Sequence, residues 1–208
     1  MRILFCIALL FAAVPSVQAE LVYDVFYRAA GVDGIGSAVL NVAPDETIRG
    51  VEVILRETAT NSETSPLGTG GLRGYAIELQ SSTPGSFENG AYNSSFQFPA
   101  TGNDGDTFSA FNFAGGTAGV EVAANTVELS LGTVDLIGPT LGNQIQFSLA
   151  DFSPSVDNFV LANNVALDDV INFGNTLTLA SITAIPEPSS FALIGTLGSV
   201  VLLRRRRR

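Results

Sequence analysis

Carboxylates and other oxygen-bearing side chains are the chemical resource of this chain. Thr101-Gly102-Asn103-Asp104-Gly105-Asp106 sets Asn103, Asp104 and Asp106 on a loop bent by glycine, which is how a calcium site often begins. The twelve-residue ligand pattern of an EF-hand, ending in a bidentate glutamate, is absent. A plain hairpin turn is the alternative, since Asn and Asp beside Gly are the usual turn formers. Asp168-Asp169, with Asp157, is a second acidic group that would either add ligands or end a solvated segment. Two carboxylates also suffice for glycoside hydrolysis when they stand about 5–5.5 Å apart (retaining) or roughly 6.5–9.5 Å apart (inverting) across a cleft. Here no carboxylate sits in a recognisable catalytic motif, and aromatic sugar platforms are limited to four tyrosines with no tryptophan.

Other chemistries are excluded by composition. The chain has no histidine and no lysine, so all ten basic residues are arginines. A Ser-His-Asp triad, an imidazole-ligated zinc, a phosphate-loop lysine and a Schiff-base lysine are therefore impossible. Gly68-Thr69-Gly70-Gly71, like Gly115-Gly116, is a flexible turn. Cys6 is the one cysteine, and it lies in an N-terminal segment expected to be removed, which leaves no thiol nucleophile or redox pair.

Charge narrows the partners. Between residues 20 and 185 there are nineteen acids, the chain's twenty less Glu187, against Arg28, Arg49, Arg56 and Arg73, for a net charge of −15. From Gly74 to Ile185 no cation occurs. A phosphate backbone needs a basic footprint, so nucleic acid is excluded as a partner. Acidity of this kind serves solubility and mutual repulsion, or, in a sharper reading, attracts divalent cations or cationic surfaces.

The elements that must position these groups are strands. Period-two alternation marks 21–27, 35–42, 48–57, 73–80, 92–98, 106–113, 120–123, 126–131, 144–149, 158–161 and 176–183, separated by Gly, Pro, Asn and Asp turns. No apolar stripe sustains three helical turns; one short helix over Asn164–Ile171 competes with a loop. The expected fold is all-β, an antiparallel β-sandwich of jelly-roll-like type, with the phenylalanines filling its core. Phe108, Phe111 and Phe113 do not share one face, which predicts a bulge or burial on two sides.

Both ends of the chain are addresses. Met1-Arg2, the apolar run Ile3–Ala13 and Val17-Gln18-Ala19 form a signal peptide over 1–19, with cleavage between Ala19 and Glu20. At the other end, Pro186, Glu187 and Pro188 precede an apolar run through Leu203 and five arginines, Arg204, Arg205, Arg206, Arg207 and Arg208. The run from Ser189 to Leu203 would span about 22 Å as a helix, short of a hydrocarbon core of roughly 30 Å. The arginines would snorkel and hold the C-terminus in the cytoplasm.

This 186–208 segment resembles the PEP-CTERM sorting signal of Gram-negative bacteria. The resemblance implies handling by an exosortase that cleaves near Pro-Glu-Pro, after signal peptidase and a transient inner-membrane stage, with delivery to the cell surface or extracellular matrix. It also implies an association with exopolysaccharide or biofilm. The expected organisation is a signal peptide, an exported β-sandwich domain over 20–185 and a sorting segment with a short transmembrane helix. The expected role is structural or adhesive and non-enzymatic. A carboxylate-dependent secreted glycoside hydrolase and a permanently tail-anchored, periplasm-facing protein are the alternatives.

Overall fold

A computed structural model describes residues 20–60, 64–99 and 106–181. The signal segment through Ala19, the ligand candidates Asn103 and Asp104, the motif Pro186–Pro188 and Arg204–Arg208 lie outside the described residues.

Alternation decides which side of each strand is buried. The strands are β1 (Leu21–Ala29), β2 (Val32–Asp33), β3 (Ser37–Val42), β4 (Thr47–Ala59), β5 (Leu72–Ser81), β6 (Phe87–Tyr92), β7 (Phe98–Pro99) and β8 (Thr107–Phe111). After them come β9 (Val120–Ala123), β10 (Thr126–Ile137), β11 (Gln144–Asp151), β12 (Val160–Leu161), β13 (Ile171–Asn172) and β14 (Thr176–Ser181). A single helical turn, α1 (Pro66–Thr69), lies between β4 and β5; Ser65 caps it by accepting the Gly68 N–H, and Pro66 sits where its missing N–H costs nothing. In β1, Tyr23, Val25, Tyr27 and Ala29 turn inward, and in β14 Leu177 and Leu179 do the same.

The strands pair into two seven-stranded sheets. The first runs β13-β1-β4-β10-β6, with β2 on β1 and β9 on β10; the second runs β3-β14-β11-β5-β8-β7, with β12 on β5. Most pairings are antiparallel, as the alternation led one to expect, and β1–β13 and β3–β14 are parallel. Both partnerships join strands remote in sequence, so no hairpin dictates their direction.

The inward faces meet in one hydrophobic cluster. Tyr27 and Phe87 of the first sheet pack edge-on against Phe147 of the second, with centroids 6.4 and 5.5 Å apart. Two tyrosine hydroxyls cross the interface in opposite directions: Tyr27 donates to the Ser148 carbonyl, and Tyr75 to that of Leu131. Burial pushes both hydroxyls above their ordinary pKa. Each large side chain so buried contributes about 1.5–3 kcal/mol, and the tyrosines also bring a satisfied polar tip.

Several sequence expectations change. The strand expected to end at Leu131 continues to Ile137, because a register shift between Ser130 and Gly132 switches the inward parity from Val127, Leu129 and Leu131 to Val134 and Leu136. The strand expected over 92–98 lies earlier, at Phe87–Tyr92, where it pairs with β10. Asn164–Ile171 is not helical: Asn164 has φ +64°, and the segment turns twice through Leu161 and Leu167 carbonyls. The phenylalanines divide. Phe26, Phe96, Phe108, Phe147 and Phe159 are buried, whereas Phe98, Phe113 and Phe152 are exposed.

The bulge depends on Gly132, where a Cβ would meet the Ala91 carbonyl oxygen at 2.5 Å and the Phe108 ring at 3.0 Å. Gly132→Ala should therefore destabilise the fold by about 1–3 kcal/mol, read as a lower urea midpoint at unchanged slope. An unchanged midpoint would show that β10 and β6 separate freely at this point.

Candidate functional site

On the outer face of the first sheet, Phe26, Ile54 and Ser130 share one register row, and Asp24, Arg56 and Glu128 share the next. Phe26 and Ile54 are buried although they point away from the main core. Their roof is ionic. Arg28 donates through Nε to Asp33 Oδ1 at 2.5 Å and through Nη1 and Nη2 to Glu128 at 2.8 and 2.9 Å. Arg56 reaches the same two carboxylates, each at 2.5 Å through Nη2. Both guanidiniums lie over the Phe26 ring, Arg56 at 4.7 Å and Arg28 at 5.7 Å from its centroid. Two cations and two anions close a neutral ring over an aromatic floor.

Hydrogen bonds from Arg28 hold the Asp33 carboxyl below its ordinary pKa. At Glu128, burial works the other way, but the hydrogen bonds from Arg28 and Arg56 together outweigh it and the carboxyl is also lowered. With both carboxylates bound by the two guanidiniums, these charges form a fastening.

A second carboxylate points into the core. Glu57 is 1% exposed, is paired across β4 with Tyr23 and accepts the Leu67 N–H at 3.0 Å, tying α1 to the end of the sandwich. Burial, and then the charge of Glu57, raise the Tyr23 hydroxyl well above its usual pKa.

The remaining sequence candidates are scattered. Asp106 stands at the start of β8, where its carbonyl accepts Leu79 N–H and its Oδ1 accepts the Thr107 hydroxyl at 3.3 Å. Asp168 accepts the N–H groups of Asn158 and Phe159, which assigns it to turn formation. Asp157 lies beside a different groove, with Asn158, Phe98 and Phe111. Among the described residues no three acids gather as a metal-binding group. Glu78 and Asp106 do line one shallow depression of about 410 Å³. A glycosidase acid needs a desolvated carboxyl, however, and Asp106 is exposed and Glu78 half-buried.

What alternation did not disclose is the outer face of the second sheet. Ser37, Thr176, Ser148 and Gln80 form one row across β3, β14, β11 and β5. Val39, Thr178 and Gln146 form a neighbouring row, and Ala150, Glu78 and Thr107 lie on the other side. Along these outward rows Glu78 is the one charged residue, while at the Gly74 end Arg73 lies over Phe111 and Asp157 lines the adjoining groove. This face is a field of hydroxyls and carboxamides on a domain otherwise crowded with acids.

At one corner of it stand three phenylalanines. Phe111 pairs with Gly74 on one side and Phe98 on the other. Its ring lies over Gly74, where a Cβ would come within 2.9 Å of it. Phe113 touches both neighbours edge-on, 4.6 Å from Phe98 and 5.4 Å from Phe111 by centroid, and is 68% exposed. Arg73 covers part of Phe111 at 5.2 Å and donates to the side-chain oxygen of Asn164. A groove of about 230 Å³ runs beside the rings past Gly74, Ala76, Ser109 and Asn158. The signal available in sequence was the parity of Phe113, which falls off the buried face of β8.

The ionic roof makes stability acid-sensitive. Folded-state pKa values below the unfolded ones stabilise the protein above about pH 4, and that stabilisation is lost as pH falls through the folded values. Arg56→Met should cost about 2–3 kcal/mol near neutrality, and Glu128→Gln should shrink the loss of denaturant midpoint between about pH 5 and pH 2. Equal acid sensitivity in wild type and E128Q would remove the ring from the account.

No family model and no curated protein matches this chain. Solved structures do resemble it. A chain in the crystal structure of the CaDoc0917–CaCohA2 complex aligns with a TM-score of 0.41 and 11% identity, covering 78% of this chain and 99% of the other. A chain in the complex of the sixth cohesin from Acetivibrio cellulolyticus scaffoldin B with a Cel5 dockerin aligns with a TM-score of 0.43 and 10% identity, covering 77% and 99%.

Proposed function

We propose that this chain is an exported, non-catalytic protein of the cell surface or extracellular matrix, structural or adhesive in role and sorted by its C-terminal segment. The observation that carries the reading is the order of Pro186-Glu187-Pro188, apolar run and Arg204–Arg208, read together with the signal sequence before Glu20. Signal peptidase and an exosortase are the processing partners, with exopolysaccharide the matrix component it would join.

The geometry of the sandwich supports this reading. β1 begins beside the end of β4 and the start of β10, whereas β14 ends at Ser181 beside the loop from Pro139 to Asn143 at the opposite pole. A tether leaving from Ser181 would hold the domain by that pole. The phenylalanine corner, at the Gly74 end of β5, would then face away from the tether, roughly 20–25 Å from the Ser81 end. The jelly-roll-like winding expected from the sequence is supported by β3, β4, β5 and β6 falling in alternate sheets.

Intact mass of the protein from the membrane and extracellular fractions of its own cells tests the sorting. Loss of residues 1–19 and of the arginine cluster from the extracellular form is expected. Replacing Arg204–Arg208 with serines should reduce the membrane-held intermediate at least severalfold. Arginines retained on a permanently membrane-bound protein would instead establish a plain tail anchor.

A further inference from the structure

The outer face of the second sheet is unpartnered among the described residues, and its composition selects its occupant. The domain carries nineteen acids over residues 20–185, yet the strand rows of this face show one, Glu78, and the groove at its corner adds one more, Asp157. An anionic polymer would meet the repulsion of the whole domain, and a cationic one would be drawn to the acids elsewhere rather than to this face. A second copy would bring two strongly acidic domains together. A ligand with many hydroxyls and no charge loses nothing electrostatically, and Thr178, Gln146, Ser148 and Gln80 offer it both donors and acceptors. The exposed rings of Phe98 and Phe113, backed by Phe111, add the apolar surface on which the C–H face of a sugar ring rests.

We propose that the hydroxyl and carboxamide face of β14, β11, β5 and β8, with Phe98, Phe111 and Phe113 at its corner, binds a neutral polysaccharide chain. The proposal rests on the adhesive reading above and names its ligand class. Binding is non-covalent: rings stack at the corner, and the chain runs onward across the strands over Ser109, Ala76 and the row of Ala150, Glu78 and Thr107. The half-buried Arg73 stiffens the corner by holding Phe111 from one side and Asn164 from the other.

Affinity electrophoresis of the protein released by its own cells tests this, with hydroxyethyl cellulose, galactomannan or dextran cast in the gel as neutral probes. Alginate and DEAE-dextran serve as anionic and cationic probes. Retardation by at least one neutral polymer and none by alginate is expected. Retardation should weaken about tenfold or more in the double variant Phe98→Ala, Phe113→Ala, whose side chains are exposed and can be removed without emptying the core. Thr178→Asp with Gln146→Asp, a half-buried and an exposed position of the outer face, should weaken it comparably. Failure of every neutral probe overturns the ligand class, while co-fractionation with the matrix would leave the adhesive reading standing. Neutral-polymer binding by a protein that stays in the soluble periplasm would do the reverse. Retardation untouched by both double variants, or a dimer in sedimentation abolished by them, also overturns the proposal, the latter by making this face a self-association surface.

Discussion

Cys6 is the only cysteine in the chain, so no internal disulfide can close the sandwich, and the two sheets hold together by buried apolar contacts and hydrogen bonds across the core. That constraint shapes everything else. Alternate residues of each long strand must be apolar and inward, and the two sheets must match where they meet. Tyr27 and Tyr75 show how tightly: each sends its hydroxyl across the core to a carbonyl of the opposite sheet, so the sheets are registered against each other as well as packed. The bulge at Leu131 belongs to the same solution, since the carbonyl there receives both Tyr75 and the Asn93 N–H.

With the inside committed, the two outsides diverge. On the first sheet, Arg28 and Arg56 gather Asp33 and Glu128 over Phe26, turning four charges into a neutral roof for a second small apolar layer. On the second, the outward strand rows are nearly free of charge, and Phe98, Phe111 and Phe113 collect at the Gly74 corner. Cations are scarce, and three of the four in the domain lie against phenylalanine rings. Arginine here organises aromatic surface at least as much as it balances acid.

Strand alternation made the all-β class and the strands β1, β4, β5 and β11 legible in advance, because period two survives wherever one face is buried. It failed where the period itself breaks. The shift at Leu131 reverses parity, so β10 looked half its length. Asn164, adjacent to another asparagine, reads as a helix cap, but its backbone is left-handed and the segment becomes a double turn. The candidate site was less legible still. Register across β3, β14, β11 and β5 is long-range information, and no single strand reveals that its outward residues join a neutral field. The meeting of Asp33 and Glu128 with their arginines was no more legible, since it joins residues 23 apart in Arg56–Asp33 and 100 apart in Arg28–Glu128.

The fastening on the first sheet and the binding surface proposed on the second would respond differently to a ligand. Amide hydrogen exchange with and without a saturating neutral polysaccharide, resolved to single strands, addresses it directly. Added protection is expected in β8, β5 and β11 and the loop carrying Phe113, with β1, β4 and β10 unchanged. Protection falling on the first sheet around Phe26 and Glu128, with the second sheet unaltered, would contradict it.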